Sequence, residues 1–388
     1  SPEDQLRCAR AWTAARLPPA NVRLWRGERY AHDRIRVAYL SSDLHDHPVS
    51  YLMAGVFEAH DRARFETIAL SAGPDTDTPM RVRLKQAFER FIDVGRRGEP
   101  EIAALIRELE VDILVDLNGH TLGSRMGALA LRPAPVQVSY LGFPGTTGAP
   151  YVDYVLADRC VVPEGMRDCF SEQVVYLPDT FQANDDIRTI AATPTRADLG
   201  LPEQGFVFCA FNNAYKIVPE MFALWMRVLR AVDGSVLWLI DGDGVVPNLR
   251  GEAARAGVDP TRLVFAPRLP YAQHLARYRV ADLFLDTFPF TGGTTASDAL
   301  WAGLPVVTRT GRAMAGRMAT SLLRAMQLPE LVTETGEAYE ALATALARHP
   351  HELDPLRARL GVAREDARLF ASGRFCRHLE RAYETMFE

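Results

Sequence analysis

Val111-Asp112-Ile113-Leu114-Val115-Asp116 is the stretch that decides the fold class. It is short, β-branched and apolar, the pattern of a strand buried in a parallel sheet. It runs straight into Leu117-Asn118-Gly119-His120-Thr121, where Asn-Gly marks a tight turn. Working outward, strand patterns recur at 35–40, 65–71, 136–140, 154–156 and 174–177. Helical patterns at 49–60, 80–90 and 99–109 separate them. A second alternating series follows, with strands at 206–211, 235–240, 263–267, 283–286 and 305–308. Its helices fall at 219–231, 247–256, 271–281, 294–302, 314–326 and 337–348, and residues 353–387 read as terminal helices. This is an α/β chain with two Rossmann-like doubly wound parallel sheets, expected to face each other across a cleft. The boundaries read as a helical lead-in over 1–34, a first domain over 35–184, a polar linker over 185–204 and a second domain over 205–388. No 34-residue repeat is visible.

A length of 388 residues is too great for one ordinary core and agrees with two domains. With 24% charged and 48% hydrophobic residues, the chain is neither disordered, collagen-like nor a coiled coil. A net charge of −5 argues against an extended nucleic-acid surface. Five scattered cysteines without C-x-x-C spacing argue against structural zinc and a disulfide framework, and fit reduced thiols in the cytoplasm. No apolar run is long enough to span a membrane, and no signal peptide is visible in a chain that begins Ser1-Pro2-Glu3. Of 44 basic residues only Lys85 and Lys216 are lysines. That bias reflects genome composition, yet it makes each lysine a question.

In doubly wound folds ligands sit at the carboxyl ends of strands. The loop Ser42-Asp43-Leu44-His45-Asp46-His47-Pro48 follows the first strand and offers His47 as base or donor, or as a plain helix cap. His45 and His47 flanking Asp46 are a weak metal pattern. Asn118-Gly119-His120-Thr121 is either a polar ligand contact or simple turn chemistry. Leu141-Gly142-Phe143-Pro144-Gly145 lets main chain approach a ligand and, lacking a following Lys, is not a Walker A loop. Phe211-Asn212-Asn213-Ala214-Tyr215-Lys216 places a lysine at a strand end, suited to a diphosphate and equally open to being solvated. Asp286 ends a strand before Gly292-Gly293-Thr294-Thr295, a helix start of phosphate-binding type or an ordinary N-cap, with Asp298 placed in the first turn for ribose hydroxyls. Asp241-Gly242-Asp243 reads as a turn, not a metal motif.

Taken in order, these loops, with Leu131-Arg132-Pro133-Ala134-Pro135-Val136-Gln137 and Leu300-Trp301-Ala302-Gly303, resemble the catalytic region of O-linked N-acetylglucosamine transferases and their bacterial homologues. The resemblance spans about Ile35 to Phe387. It implies the GT-B arrangement and a metal-independent, inverting transfer of a sugar to Ser or Thr hydroxyls of proteins. UDP-N-acetylglucosamine is the expected co-substrate, without a further cofactor; GDP-fucose and UDP-glucose are used by relatives. A weakly active nucleotide-sugar binding protein and a sugar-nucleotide epimerase of the same plan are the alternatives.

Residue by residue, the resemblance gives His47 an active-site role and Lys216 the diphosphate. Asn213 is the neighbouring amide. Thr294 and Thr295 start the phosphate helix, Asp298 takes the ribose, His274 stacks on uracil with Arg277 beside it, and the Leu269 backbone reads the base. Asn118, Thr121, Leu141, Gly142 and Pro144 wall the donor sugar. Two positions depart from the pattern: Gly293 replaces a histidine and Tyr271 replaces a lysine. The inserted domain of animal relatives and the upstream tetratricopeptide repeats are absent from this sequence, and 1–34 resembles the tail joining such repeats. The expected partners are a nucleotide sugar and a protein acceptor, with no nucleic acid and no membrane, and with oligomeric state left open.

Overall fold

The computed structural model describes residues 1–365 and 368–388. The chain forms two compact units, one of Ser1–Asp186 with Phe370–Glu388 and one of Ile187–Leu369.

The first unit holds seven parallel strands: β1 (Ile35–Ser41), β2 (Phe65–Ser71), β3 (Arg90–Asp93), β4 (Ile113–Asp116), β5 (Val136–Ser139), β6 (Tyr154–Ala157) and β7 (Gln173–Tyr176), in the order β3-β2-β1-β4-β5-β6-β7. Its helices are α1 (Pro2–Arg16), α2 (Pro48–Glu58), α3 (Pro79–Ala87), α4 (Glu99–Glu108) and the short α5 (Met126–Ala130). Along β1, Val37 and Tyr39 enter one apolar cluster, while Ala38 and Leu40 enter another. This two-residue alternation gives the sheet a core on each face.

The second unit carries β8 (Val207–Ala210), β9 (Val236–Ile240), β10 (Leu263–Ala266), β11 (Leu283–Leu285), β12 (Val306–Arg309) and β13 (Val332–Thr333), in the order β10-β9-β8-β11-β12-β13, also parallel. Its helices are α6 (Pro219–Ala231), α7 (Val245–Arg255), α8 (Tyr271–Arg277), α9 (Thr294–Trp301), α10 (Met318–Ala325), α11 (Gly336–Arg348) and α12 (Leu353–Glu365). The last helix, α13 (Ser372–Phe387), belongs to the first unit.

That return corrects the expected boundary at 388. Phe375, Leu379, Tyr383 and Met386 form one face of α13 and join the cluster that α2 supplies with Met53 and Phe57. Burying such side chains is worth roughly 1.5–3 kcal/mol each. Glu380 on α13 is 2% exposed. It accepts from the Asp61 N–H at 2.8 Å and from Arg64 at 2.8 Å, and meets His60 Nδ1 at 3.1 Å. The lead-in is likewise part of the first unit: Thr13 Oγ1 donates to the Thr147 carbonyl at 2.9 Å, and Leu24 N–H to Leu131 at 2.9 Å. The linker is tethered at its start. Asp185 receives Arg83 at 2.5 Å in the first unit, and Arg188 donates to Asp298 at 3.1 Å in the second.

Three elements differ from the sequence reading. The helix expected over 80–90 stops at Ala87, and Arg90–Asp93 pairs with β2 as an edge strand. The short α5 and the two-residue β13 were not expected. In both sheets the strand order reverses once, between β1 and β4 and between β8 and β11. Those two reversals are where a doubly wound sheet opens a crevice.

Candidate active site

In the first unit, the reversal is bridged by side chains. Asn118, just beyond β4, accepts from the Ser42 N–H at 2.8 Å. Its amide donates to Ser42 Oγ at 2.9 Å, to Asp43 Oδ2 at 2.9 Å and to Thr121 Oγ1 at 3.1 Å. Every polar atom of this 1% exposed residue is engaged, so it lies behind the wall and shapes it. Asp116, at the end of β4, accepts from the N–H groups of Gly119 at 2.7 Å and Asn118 at 3.2 Å. Burial pushes its carboxyl up to about 6, those N–H groups pull it back, and the Asp43 charge adds to the rise.

The cavity at these strand ends has a volume of about 1080 Å³. His47, Thr121 and Gly142 line it, together with Asp43 and His45. Leu141 holds a positive φ of 65°, and a Cβ on Gly142 would meet the Leu117 carbonyl oxygen, so the chain here runs tightly against the turn after β4. Pro144 follows in the same loop, half-buried.

His47 is the N-cap of α2: the Val49 N–H donates to its Nδ1 at 3.3 Å. In the neutral ring the proton then sits on Nε2, which makes that atom a donor. Burial holds the ring below its ordinary pKa of 6.5; Asp43, 3.6 Å from Nδ1, opposes the shift, and His45 reinforces it.

In the second unit, Asn212, just beyond β8, donates to Asp286 Oδ1 at 3.2 Å and accepts from the Thr295 hydroxyl. Asp286, just after β11, also accepts from Gly292 N–H at 2.7 Å, Thr287 N–H at 2.9 Å and Thr308 Oγ1 at 2.7 Å. Burial raises its pKa against these donors and Lys216. A Cβ on Gly292 would come 2.7 Å from Thr295 Oγ1 and 3.1 Å from Asp286 Oδ1, so glycine lets the turn close. α9 begins at Thr294 without a side-chain cap, so its first N–H groups are aimed outward with the positive end of the helix dipole.

Lys216 is brought to this turn. Its Nζ donates to the Thr291 carbonyl at 3.0 Å and lies 3.8 Å from the Phe290 ring centroid. Burial lowers its pKa to about 8, against the pull of Asp286. Asn213 is exposed at the start of the same turn. Asp298 sits in the second turn of α9, not the first as expected. It is 3% exposed and accepts from Arg188 at 3.1 Å and the Tyr271 hydroxyl at 2.8 Å. Burial raises its carboxyl to about 6, offset by both partners.

His274 is held by Phe211, 5.8 Å away, and Tyr278, 5.1 Å away, between ring centroids. Burial first, then Arg277 and Arg268, bring it down to about 3, so it is neutral. Arg277 is buried: it donates to the Pro267 carbonyl at 2.7 Å and to His274 Nδ1, and covers Phe211 at 4.3 Å. It fixes His274 and the loop holding half-buried Leu269.

Sequence reasoning passed over Asn212, Asp286, Arg188 and Tyr271 as site residues. Asn212 and Asp286 carried a signal, as polar residues at the ends of central strands. In the sequence Tyr271 is only a departure from the family's pattern; in the structure its hydroxyl engages Asp298. Asp241-Gly242-Asp243 is a turn, with Gly242 N–H on Asp241 Oδ1 at 2.7 Å and Gly244 at φ 70°. One group of potential metal ligands, His60, Cys376 and Glu380, occurs among the described residues. Its members are hydrogen-bonded into the α13 contact, and the Cys376 thiol is held above its ordinary pKa by burial and Glu380.

The model of glycosyl transferase family 41 matches residues 20–192 and 182–379. The probable UDP-N-acetylglucosamine–peptide N-acetylglucosaminyltransferase SEC of Arabidopsis thaliana is 38% identical over 362 residues, covering 91% of this chain and 37% of the plant protein. The Caenorhabditis elegans UDP-N-acetylglucosamine–peptide N-acetylglucosaminyltransferase is 28% identical over 464 residues, covering 89% and 40%. The chain thus spans about two fifths of these relatives' lengths. A solved structure of a Thermobaculum terrenum O-GlcNAc transferase mutant superposes with a TM-score of 0.89 at 34% identity, covering 100% of this chain and 74% of that one.

Proposed function

The chain belongs to glycosyl transferase family 41, and from that membership we propose that it transfers N-acetylglucosamine from UDP-N-acetylglucosamine to Ser or Thr hydroxyls of a protein acceptor. One observation carries the reading. In the second unit a half-buried lysine, a glycine turn and an uncapped helix start meet just beyond β8 and β11. Two fixed positive features there suit a diphosphate that gains charge as the sugar leaves.

In this reading Lys216 opposes the charge on the departing diphosphate, and the α9 N–H groups at Thr294 and Thr295 hold it. Asn213 stands beside it, Asp298 takes the ribose, and His274 stacks on the base near Leu269. In the first unit Thr121, Leu141, Gly142 and Pro144 form the sugar wall, with Asn118 fixing it. The acceptor hydroxyl attacks the anomeric carbon from the side opposite the leaving group, the bond from that carbon to the diphosphate oxygen breaks, the hydroxyl proton leaves with the UDP product, and the carbon is inverted. His47, with Nδ1 occupied and Nε2 protonated, suits holding an oxygen better than taking its proton. The charge is supplied by side chain and helix, so the reading calls on no metal and no cofactor. It calls on no nucleic acid and no membrane, and leaves oligomeric state open. No helix among the described residues is long and apolar enough to cross a membrane. All five cysteines are free thiols, and a cytoplasmic setting is part of the proposal.

The test is incubation with UDP-N-acetylglucosamine, UDP-glucose or GDP-fucose and a cell lysate, read by intact-protein mass. A mass gain of one N-acetylhexosamine supports the reading. Transfer from another donor would replace the sugar assignment. Isomerised donor would mean an epimerase, and donor binding without product would mean a binding protein.

A further inference from the structure

α3 reads as a polar surface helix, yet Arg81 in its first turn is 1% exposed. A guanidinium leaves water only where fixed acceptors replace its hydration. Here they come from the ends of two neighbouring strands, β2 and β3, and from the loops after β1 and β2. Nη1 donates to the Leu44 carbonyl at 2.7 Å and to Ser71 Oγ at 2.5 Å. Nη2 donates to Asp93 and, at 3.4 Å, to Asp75. The guanidinium carbon lies 4.6 Å from the centroid of the Phe91 ring, and Nε has no acceptor among the described residues.

Leu44 lies in the loop after β1, Ser71 ends β2 and Asp93 ends β3. Asp75 and Asp93 line the same cavity as His47. The segment Asp43–His47 is therefore held from two sides. Asn118 and Ser50 fix Asp43, at 2.9 and 2.6 Å, and Arg81 fixes the next carbonyl. The contrast on the same helix is instructive. Lys85, one turn on, meets the single acceptor Asp75 at 3.0 Å and stays half-exposed. A point charge serves one partner; a planar fork serves several at once.

We propose that Arg81 is a positioning residue for sugar transfer, fixing through the Leu44 carbonyl the segment that presents His47 to the cavity. The inference rests on the transferase reading of that cavity and extends it to a residue outside the strand-end loops. Asp43 and His45 are the titratable groups facing His47.

Arg81→Met and Arg81→Lys test it, with folding checked by circular dichroism and melting. UDP affinity, measured by calorimetry, belongs to the other unit and should stay within two-fold. Donor KM should also hold, while kcat falls at least about 30-fold in Arg81→Met and less in Arg81→Lys. Should Arg81→Met fail to fold, Arg81→Lys, which keeps the charge but loses the fork, carries the test. In carbon-labelled histidine spectra, the His47 titration should move back toward its ordinary value as the segment opens. A folded variant with unchanged kcat overturns the proposal. If the wild-type protein transfers no sugar, the transferase reading fails instead, and an unmoved His47 titration alone then overturns the positioning role.

Discussion

UDP binding should be linked to one proton at Lys216. Burial brings the pKa of its ammonium group to about 8, with Asp286 pulling the other way. A diphosphate beside Nζ favours the charged form, so the pKa rises when the ligand binds. The sign follows: free protein loses the charge as pH passes 8, and bound protein keeps it. The charged fraction of the free protein falls from about 0.9 at pH 7 to about 0.1 at pH 9, which is roughly 1.4 kcal/mol and a ten-fold rise in Kd. At pH 8 about half a proton should be taken up per UDP bound, read by calorimetry in two buffers of different ionisation heat. Lys216→Met should flatten the pH dependence that remains after UDP's own titration. Its kcat should fall about 10²–10³-fold, the usual effect of removing one group that meets developing charge. Lys216→Arg keeps the charge through pH 9, so its Kd should also be flat, but it cannot reproduce the single bond to Thr291. Parallel Kd curves for wild type and Lys216→Met would refute the reasoning, because Lys216 would then not be the group that senses the diphosphate.

Three further outcomes are expected. Asn212→Ala should cost about 2 kcal/mol of stability in the second unit and weaken UDP binding, since a buried amide joining Asp286 and Thr295 is lost; Asn213→Ala, at an exposed position, should leave melting unchanged and report only on ligand. Gly142→Ala should destabilise the first unit by about 1–3 kcal/mol in denaturant titration, because its Cβ meets the Leu117 carbonyl and the chain must shift. Glu380 is pushed up by burial, but His60, the Asp61 N–H and Arg64 outweigh it and hold the carboxyl below its usual value. Its stabilising contribution is thus present above about pH 4.5 and is lost as pH falls through the lower folded value. Glu380→Gln should lower the melting temperature at pH 7 and remove that part of the acid sensitivity.

Much of this architecture is written locally. Apolar runs such as Val111–Asp116 and Val236–Ile240 mark central strands because both faces are buried. The edge strand Arg90–Asp93 escaped that logic: two of its residues are exposed and two half-buried, and it follows a helix almost without a break. The return of α13 is not local at all. Its amphipathic pattern identifies a helix, but only the partners Met53, Phe57 and His60, more than 300 residues earlier, decide which sheet it covers. The site divides the same way. Loops at strand ends were legible from glycines and hydroxyls, whereas Asn212 to Asp286 and Tyr271 to Asp298 are contacts that no spacing along the chain announces.

The two units solve one problem with the same device. A doubly wound sheet leaves a gap where its strand order reverses, and the loops on either side must be tied together before they can hold a ligand. In the first unit Asn118 spans from β4 to the loop after β1, while Asp116 gathers the turn through two N–H groups. In the second, Asn212 spans from β8 to Asp286, which gathers the glycine turn through two more. Both carboxyls are buried, and burial raises the pKa of each while the converging donors pull it part of the way back. An amide beyond one central strand and a carboxylate at a central strand end therefore do more than decorate turns. They fix the main chain on which His47 and Lys216 are mounted, so the groups with proposed chemistry can stay few and the framework beneath them rigid.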